Sequence, residues 1–245
     1  FLYECDYIIN TAAETHVGNS IANSDEFIHS NVNGVHNLLE LIKNYRQESS
    51  KKPIFLHFST DEVYGDIEEG AHIETDLLKP SNPYSATKAA ADQLVLAWGR
   101  TYKLPYVIVR PTNNYGIGQY VEKLIPKAVK LLSLERKIPL HNKGLSYRNW
   151  LHASDTAEAV ITLIEKGKIG EIYNIGTDEK NEYSVMQIAK ILIGEIKNTK
   201  EYDKWITYIK DRPFNDKRYY ISNDKIKKLG CVIQKDFIEG LKELL

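Results

Sequence analysis

A chain of 245 residues is long enough for one full α/β domain, or for one domain with a smaller partner lobe. Lys and Arg number 32 against 33 Asp and Glu, a formal net charge of -1, so neither nucleic acid nor an anionic membrane is expected as a bulk partner, and the ligand must be sought in a pocket. Only two cysteines occur, Cys5 and Cys231, with no CxxC, and the seven His lack metal-ligand spacing; a disulfide framework and a metal site are therefore not expected, and a reducing cytoplasm fits best.

In chain order, three short apolar runs read as strands: Tyr7 to Ile9, Ile54 to Phe58 and Tyr106 to Val109. Between the first two, Val35, Leu38, Leu39 and Ile42 recur at helical spacing; between the last two, Tyr84 to Tyr102 carries Ala89, Ala90, Leu94, Val95 and Trp98 in the same manner. This alternation predicts right-handed βαβ crossovers and a doubly wound parallel sheet of Rossmann-like type. After Arg110-Pro111 the pattern loosens. Asn113-Asn114-Tyr115-Gly116 reads as a loop, and Tyr120 to Leu134 as a helix broken or kinked at Pro126. Ala157, Val160, Ile161 and Ile164 predict a further helix, and Ile172 to Ile175 a strand. Ser184 and Gln187 form a capping box before Val185, Ile188, Ala189 and Leu192, and Asp236 to Leu245 reads as a final helix.

The division expected is a partial dinucleotide-binding domain over 1–112 and a smaller α/β substrate lobe over 113–245, with some segments of the latter returning to the first domain. A doubly wound nucleotide-binding sheet opens with a strand, a Gly-rich turn and a helix N-terminus for the pyrophosphate. No GxGxxG or GxxGxxG occurs, and the chain begins at what reads as a middle strand, so an incomplete domain is expected.

The chemistry gathers around Ser59-Thr60-Asp61-Glu62-Val63-Tyr64-Gly65, which ends the second strand, and Tyr84-Ser85-Ala86-Thr87-Lys88, which opens the next helix. Adjacent carboxylates at a strand's C-terminal end repel, so that one stays protonated while the other ionises, an acid beside a base. The plainer alternative is a helix N-terminus that attracts both carboxylates. Tyr84 and Lys88 lie at i and i+4 on one face, where a cation favours the phenolate of a group whose ordinary pKa is ~10. Such a pair also occurs by chance on helix surfaces. Thr60 either orients a substrate hydroxyl or bonds the backbone. Asn113 and Asn114 either bind ligand or shape the turn before Gly116. Arg148, Lys123 and Asp211-Arg212-Pro213 read equally as anion-binding or as surface charge. His16, just past the first strand, is given no catalytic role.

These residues resemble the extended short-chain dehydrogenase/reductase superfamily, and within it the nucleotide-sugar 4,6-dehydratases acting on dTDP-glucose or UDP-glucose. The resemblance rests on Ala12-Ala13-Glu14-Thr15-His16-Val17, the two segments above, Asn113-Asn114-Tyr115-Gly116, Glu122-Lys123-Leu124-Ile125-Pro126, Tyr173-Asn174-Ile175-Gly176 and Asp211-Arg212-Pro213. It implies a cycle in which Tyr84 removes the proton of the sugar 4-hydroxyl while NAD takes the C4 hydride. Glu62 then removes the C5 proton, Asp61 protonates the departing 6-hydroxyl, and the hydride returns to C6. Catalytic roles thus fall to Asp61, Glu62, Tyr84, Thr60 and Lys88. The resemblance assigns Ala12, Ala13, Glu14, Thr15, Ser30, Tyr84, Lys88 and Asn114 to the NAD site. To the substrate it assigns Thr60, Asn113, Lys123, Leu124, Pro139, Leu140, His141, Arg148, Asn181, Asp211, Arg212 and Asn215.

It also implies a homodimer packed through helices, with a nucleotide sugar as the small-molecule partner. Several positions depart from the family pattern: Gly18 stands where an Asp is common, Ile117 and Val121 replace prolines, and Cys231 stands where a Trp is frequent. Thr177, the segment Pro213 to Asp216 and the Tyr84-Ser85-Ala86-Thr87-Lys88 form lean toward the UDP-glucose branch, while the base itself is not readable. The competing expectations are a sugar-nucleotide 4-epimerase or decarboxylase, disfavoured by Asp61-Glu62, and a truncated chain that binds sugar nucleotide without turning it over. If these residues are the whole polypeptide, weak or absent NAD binding is expected.

Overall fold

The structure, a computed structural model, describes residues 5–48, 53–214 and 216–245. The first half contains β1 (Tyr7–Asn10), α1 (Val17–Ala22), α2 (Asp25–Phe27), a π-helical turn (Ile28–Asn33), α3 (Gly34–Glu48), β2 (Ile54–Phe58), a 3-10 turn (Asp61–Tyr64), α4 (Pro83–Tyr102) and β3 (Tyr106–Pro111). Next come β4 (Asn113–Tyr115), α5 (Leu124–Ser133), β5 (Ile138–Leu140), β6 (Tyr147–His152), α6 (Ala153–Lys166) and β7 (Glu171–Ile175). The chain ends with β8 (Glu182–Ser184), α7 (Val185–Lys197), β9 (Ile206–Tyr208), α8 (Asp224–Lys227) and α9 (Phe237–Lys242).

Strands β1, β2, β3 and β7 form a parallel sheet in that order, with Phe55 opposite Tyr106 and Val109 opposite Tyr173. Their period-2 alternation feeds two layers. Phe55 and Ile108 pack with Val35, Leu39 and Ile42 of α3 and Ala91 and Val95 of α4. Leu56, Val107 and Val109 point the other way, onto Ala159, Val160 and Leu163 of α6, Ile226 of α8 and Cys231. Burying each Val, Leu, Ile or Phe side chain among them stabilises the layer by roughly 1.5–3 kcal/mol. Thus β7 and α6, although they follow residue 113, belong to the first sheet and its cover.

A separate apolar cluster joins Tyr115, Ile125, Leu132, Leu140, Trp150, Ile188, Leu192 and Phe237, under α5, α7 and α9. Here β4, β6 and β8 form a small mixed sheet, and β5 pairs with β9. Three local expectations are corrected. The stretch Asn113–Tyr115 is a short strand paired in parallel with β6 rather than a loop, because its backbone finds the edge of Trp150–His152. The helix after Tyr120 begins only at Leu124 and runs unbroken to Ser133. Pro126 lies in its first turn, where a missing N–H costs nothing. The last helix is Phe237–Lys242, shorter than expected, and Asp236 caps it by accepting from the N–H groups of Ile238 and Glu239.

Because β1, β2 and β3 are parallel, their C-terminal ends deliver residues 11–16, 59–64 and 112–115 to one edge of the sheet. That edge is where open α/β sheets bind ligands.

Candidate active site

The two carboxylates begin the 3-10 turn Asp61–Tyr64, and Thr60 caps it by accepting from the Glu62 N–H at 3.4 Å. The plain helix-start reading and the acid–base reading therefore describe one feature. Gly65 ends the turn at φ 83, a left-handed conformation, and its N–H donates to Glu62 O at 3.2 Å. Asp61 is buried and accepts from two hydroxyls, Thr60 Oγ1 at 3.2 Å and Thr112 Oγ1 at 2.8 Å. Burial pushes its carboxyl up to about 6 against the pull of those hydroxyls. Glu62 borders the cavity and is pushed up to about 7, first by burial and then by the charge of Asp61. A buried pair of neighbouring carboxylates whose values lie near neutrality shares one proton over part of the physiological range.

Tyr84 and Lys88 reach the same edge from the first turns of α4. Asn82 starts that helix with a capping box, its side chain accepting from the Ser85 N–H at 2.9 Å while Ser85 Oγ accepts from the Asn82 N–H at 3.2 Å. The Asn82 amide also donates to Glu62 Oε2 at 3.3 Å, which ties the carboxylate to the helix that carries Tyr84. Tyr84 is buried and its side chain bonds that of Thr60; burial, followed by the Glu62 charge, raises the phenol above its ordinary value. The chain's own groups thus hold Tyr84 protonated at neutral pH. Lys88 is 3 % exposed, donates to Phe58 O at 2.5 Å, and is lowered to about 8 by burial.

The segment 12–15 is pinned to α4 by a single buried residue. Asn31 Oδ1 accepts from the Glu14 N–H at 2.8 Å, and Asn31 Nδ2 donates to Glu14 O and to Thr87 Oγ1, both at 2.9 Å. Ala12 and Glu14 are exposed and Ala13 and Thr15 half-buried, beside the strand ends. Ser30 is half-buried in the π-helical turn. Asn114 is committed internally, donating to Thr112 O at 3.0 Å and accepting from Thr156 Oγ1.

A cavity of about 270 Å³ opens between this edge and the second cluster. It gathers Thr15, Glu62, Asn113, Lys123, Leu124, Pro139, Leu140, His141, Arg148 and Arg212. Lys123 donates to Thr15 O at 2.9 Å and Thr15 Oγ1 at 2.7 Å, so it joins the segment 12–15 to the cavity wall. The guanidinium of Arg148 stacks at 4.5 Å over the Tyr219 ring and donates to Asp216 O at 3.2 Å. Three expected substrate residues stand apart from this wall: Thr60 is buried behind Glu62 in the 3-10 turn's cap, Asn181 is buried in the turn Glu179–Asn181, and Asp211 is exposed and accepts from the Asn142 N–H. Asn215 lies outside the described residues. Among the described residues no group of three His, Cys, Asp or Glu could hold a metal.

Several residues of the site escape sequence reasoning. Tyr219 lines the cavity and its hydroxyl donates to Glu62 Oε2 at 3.5 Å; nothing in its local sequence marks it. Asn82 and Thr112 are likewise unmarked, although an Asn just before Pro83 signals a helix cap. Asn31 carries no signal beyond being a polar residue on a helical stripe. His16 lines the cavity and its Nδ1 accepts from the Asn19 N–H at 3.1 Å.

A sugar-nucleotide family is what this geometry resembles in known proteins. The family model described as GDP-mannose 4,6 dehydratase matches residues 2–244. A human dTDP-D-glucose 4,6-dehydratase is 43% identical over 243 residues, covering 98% of this chain and 67% of its own length. A trifunctional UDP-glucose 4,6-dehydratase/UDP-4-keto-6-deoxy-D-glucose 3,5-epimerase/UDP-4-keto-L-rhamnose-reductase of Arabidopsis thaliana is 42% identical over 98% of this chain. The chain spans only about a third of that relative, 35%. A crystal structure of a double mutant of the dTDP-glucose 4,6-dehydratase DesIV of Streptomyces venezuelae, with NAD bound, superposes with a TM-score of 0.90 at 34% identity. The match covers 98% of this chain and 71% of that one. With the Thr60-Asp61-Glu62 turn, the Tyr84–Lys88 helix and a family match along almost its whole length, the chain belongs to the nucleotide-sugar 4,6-dehydratase family described as GDP-mannose 4,6 dehydratase.

Proposed function

We propose that this chain is the dehydratase part of an NAD-dependent enzyme that converts a nucleoside-diphosphate glucose, UDP- or dTDP-linked, into its 4-keto-6-deoxy derivative. The observation that carries the reading is the pairing of Asp61 and Glu62, pushed up to about 6 and about 7, at the edge where Tyr84 meets Thr60. An epimerase needs no such acid–base pair, since no water leaves.

The residues at the edge fit a dinucleotide. Asn113 Nδ2 is buried without a hydrogen-bond partner among the described residues, and the segment Ala12 to Glu14, exposed at its two ends, is fixed beside Tyr84 and Lys88 by Asn31. Ala12, Ala13, Glu14, Thr15, Ser30, Tyr84, Lys88 and Asn114 would hold the cofactor. When bound, NAD supplies a reversible hydride acceptor. The chain's own side chains supply the proton traffic. Tyr84, which its surroundings hold protonated at rest, would accept the proton of the sugar 4-hydroxyl only once the cation of Lys88 and the positive charge of a bound nicotinamide favour its phenolate, and Thr60 orients that hydroxyl. Lys88 adds a cation one turn along α4. The resulting carbonyl acidifies C5–H; the pair's single proton favours Glu62, the higher of the two, so the step runs from the minor form with that proton on Asp61, in which Glu62 takes the C5 proton, Asp61 gives its own to the 6-hydroxyl, and the C6–O bond breaks as C5=C6 forms. Lys123, Arg148 and Arg212 bring positive charge to the cavity wall, suited to a diphosphate. Pro139, Leu140 and His141 border the same space.

The reading extends to a homodimer packed through α3 and α4, where Leu41 and Tyr102 are exposed, and to a reducing cytoplasm, given a sequence with only two cysteines and no CxxC. The test is incubation of the full-length gene product with NAD and either UDP-glucose or dTDP-glucose, followed by mass spectrometry. Loss of one water with appearance of a keto group is the expected outcome. A product of unchanged mass would mark an epimerase, and tight sugar-nucleotide binding without turnover would mark a binding chain.

A further inference from the structure

Beneath the edge just described lies a buried charged cluster that the proposed chemistry leaves unused. Asp92 sits on α4 one turn beyond Lys88 and is 0 % exposed. Its Oδ2 accepts from Arg110 Nε of β3 at 3.0 Å, and Arg110 is itself only 2 % exposed. Among the described residues its Oδ1 has no partner at full hydrogen-bond geometry; it lies 3.6 Å from His57 Nε2 of β2, which has none there either. Ser59 stands beside it. Arg110 is locked from the other side by donating to the Tyr64 hydroxyl at 2.7 Å, and that hydroxyl donates to Asn174 Oδ1 at 2.8 Å.

A buried ion pair of this kind contributes little net stability compared with apolar residues of the same volume, so stability alone is a weak reason for it. Its placement supplies another. Positions i and i+4 share one face of a helix and both side chains are buried, so the charge of Asp92 acts on Lys88 through protein, not water. The only hydrogen bond that Lys88 makes among the described residues is to the carbonyl of Phe58, which does not compensate a full charge. Asp92 supplies the compensating charge; burial raises its carboxyl above the ordinary value, and the Arg110 guanidinium at 3.0 Å opposes that rise most among its neighbours. His57, the other titratable group facing the cluster, is driven toward its neutral form by burial and by the charges of Lys88 and Arg110, so it adds no competing cation.

We propose that Asp92 is a positioning residue for Lys88: paired with Arg110, it steadies the buried ammonium one helical turn away, and through it the Tyr84 end of the helix. Arg110 acts at one further remove, through Asp92. This rests on the dehydratase reading for its catalytic consequence, but not for its physical core.

The test is an NMR titration of the full-length protein labelled at lysine Cε, with the Lys88 resonance identified by its loss in Lys88→Arg. In Asp92→Asn the Lys88 midpoint moves to lower pH than in the wild type. Removing one partner of a buried pair is strongly destabilising, by roughly 3–5 kcal/mol, so this variant is accompanied by Asp92→Asn/Arg110→Gln, in which both charges are gone. Lys88 shifts downward in the double variant as well, because the carboxylate is absent in both. With sugar nucleotide and NAD, kcat near pH 7 falls about tenfold for each unit by which the midpoint passes below the assay pH, with KM little changed. A Lys88 midpoint unchanged from the wild type in the folded double variant overturns the proposal. The titration needs neither nucleotide nor sugar. A shifted midpoint in a protein without dehydratase activity would therefore sink the functional reading and leave this one standing.

Discussion

Thr112 Oγ1 donates to Asp61 Oδ2 at 2.8 Å from the residue that follows β3, so two neighbouring strands together set the ionisation of one carboxylate. The hydroxyl lowers the Asp61 pKa, and burial, the larger influence, raises it to about 6. A carboxyl that is more basic in the folded state than its unfolded value of ~3.9 stabilises the fold fully only below that lower value. The contribution disappears as pH rises through about 6. At pH 8 the wild type therefore carries the cost of a buried anion. Asp61→Asn is expected to be more stable than the wild type at about pH 8, by on the order of 1–3 kcal/mol, and to lose that advantage near pH 4. Urea unfolding at the two pH values checks this; equal differences at both would contradict it. Activity is lost in the same variant, a trade of function for stability.

The elimination step carries its own pH signature. One proton must sit on the Asp61–Glu62 pair for an acid and a base to coexist, and the pair holds one proton between about 6 and about 7. The rate of water loss from a 4-keto sugar nucleotide, read together with C5 exchange in deuterated solvent, is expected to be bell-shaped, with limbs near those values. A rate that climbs steadily to about pH 9 would show that both carboxylates act ionised.

How much of this was legible in the sequence follows from what each residue depends on. The strands β2 and β3 and the helix α4 depend on local period and capping, and Ile54 to Phe58 and Tyr84 to Tyr102 are plain in the residue order. The Asp61-Glu62 pair was legible because two carboxylates at a strand end need a reason. Asn31, Thr112 and Tyr219 were not, because each acts across the fold: 17 residues separate Asn31 from Glu14, 51 separate Thr112 from Asp61, and 157 separate Tyr219 from Glu62. The missed strand β4 has the same origin, since Asn113–Tyr115 is a strand only because β6 lies beside it. Asn181 and Asp211 show the converse: a segment match carries no information on which side chains reach a cavity wall.

Gly65 links backbone geometry to the carboxylates. At φ 83 a side chain is strained, and a Cβ there would lie 2.4 Å from Lys79 O, a backbone atom that cannot swing away. Gly65→Ala is expected to destabilise the protein by roughly 1–3 kcal/mol. The strain also moves the turn whose end is tied by the Gly65 N–H to Glu62 O. Activity should therefore fall more than stability alone explains, even well below the melting temperature. Thermal unfolding and kcat measured on the same preparation separate the two effects, and an unchanged kcat in folded Gly65→Ala would show that the turn tolerates the shift.

Arg148 and Tyr219 form the last connection, between the anion side of the cavity and its acid–base side. The guanidinium lies 4.5 Å over the ring, while the hydroxyl of the same ring reaches Glu62 Oε2 at 3.5 Å. The charge of Arg148 also lowers the pKa of Glu62, against the burial that raises it. Removing the cation should thus act twice. Arg148→Met, which keeps bulk along the ring, is expected to weaken UDP binding about 10- to 100-fold, the loss of one charge-assisted contact. It should also raise both limbs of the water-loss profile, since the charge of Arg148 lowers Asp61 as well as Glu62. Arg148→Lys keeps the charge without the planar stack, so it should recover much of the pH profile but only part of the affinity. Tyr219→Phe leaves the stack intact and removes only the hydroxyl, so UDP binding should stay within about threefold of the wild type, well short of the loss expected for a buried hydrogen bond to a charged group. Calorimetry at low and high salt, run beside the water-loss assay, tests the pair. If Arg148→Met changed neither affinity nor limb, the guanidinium would have no part in the site.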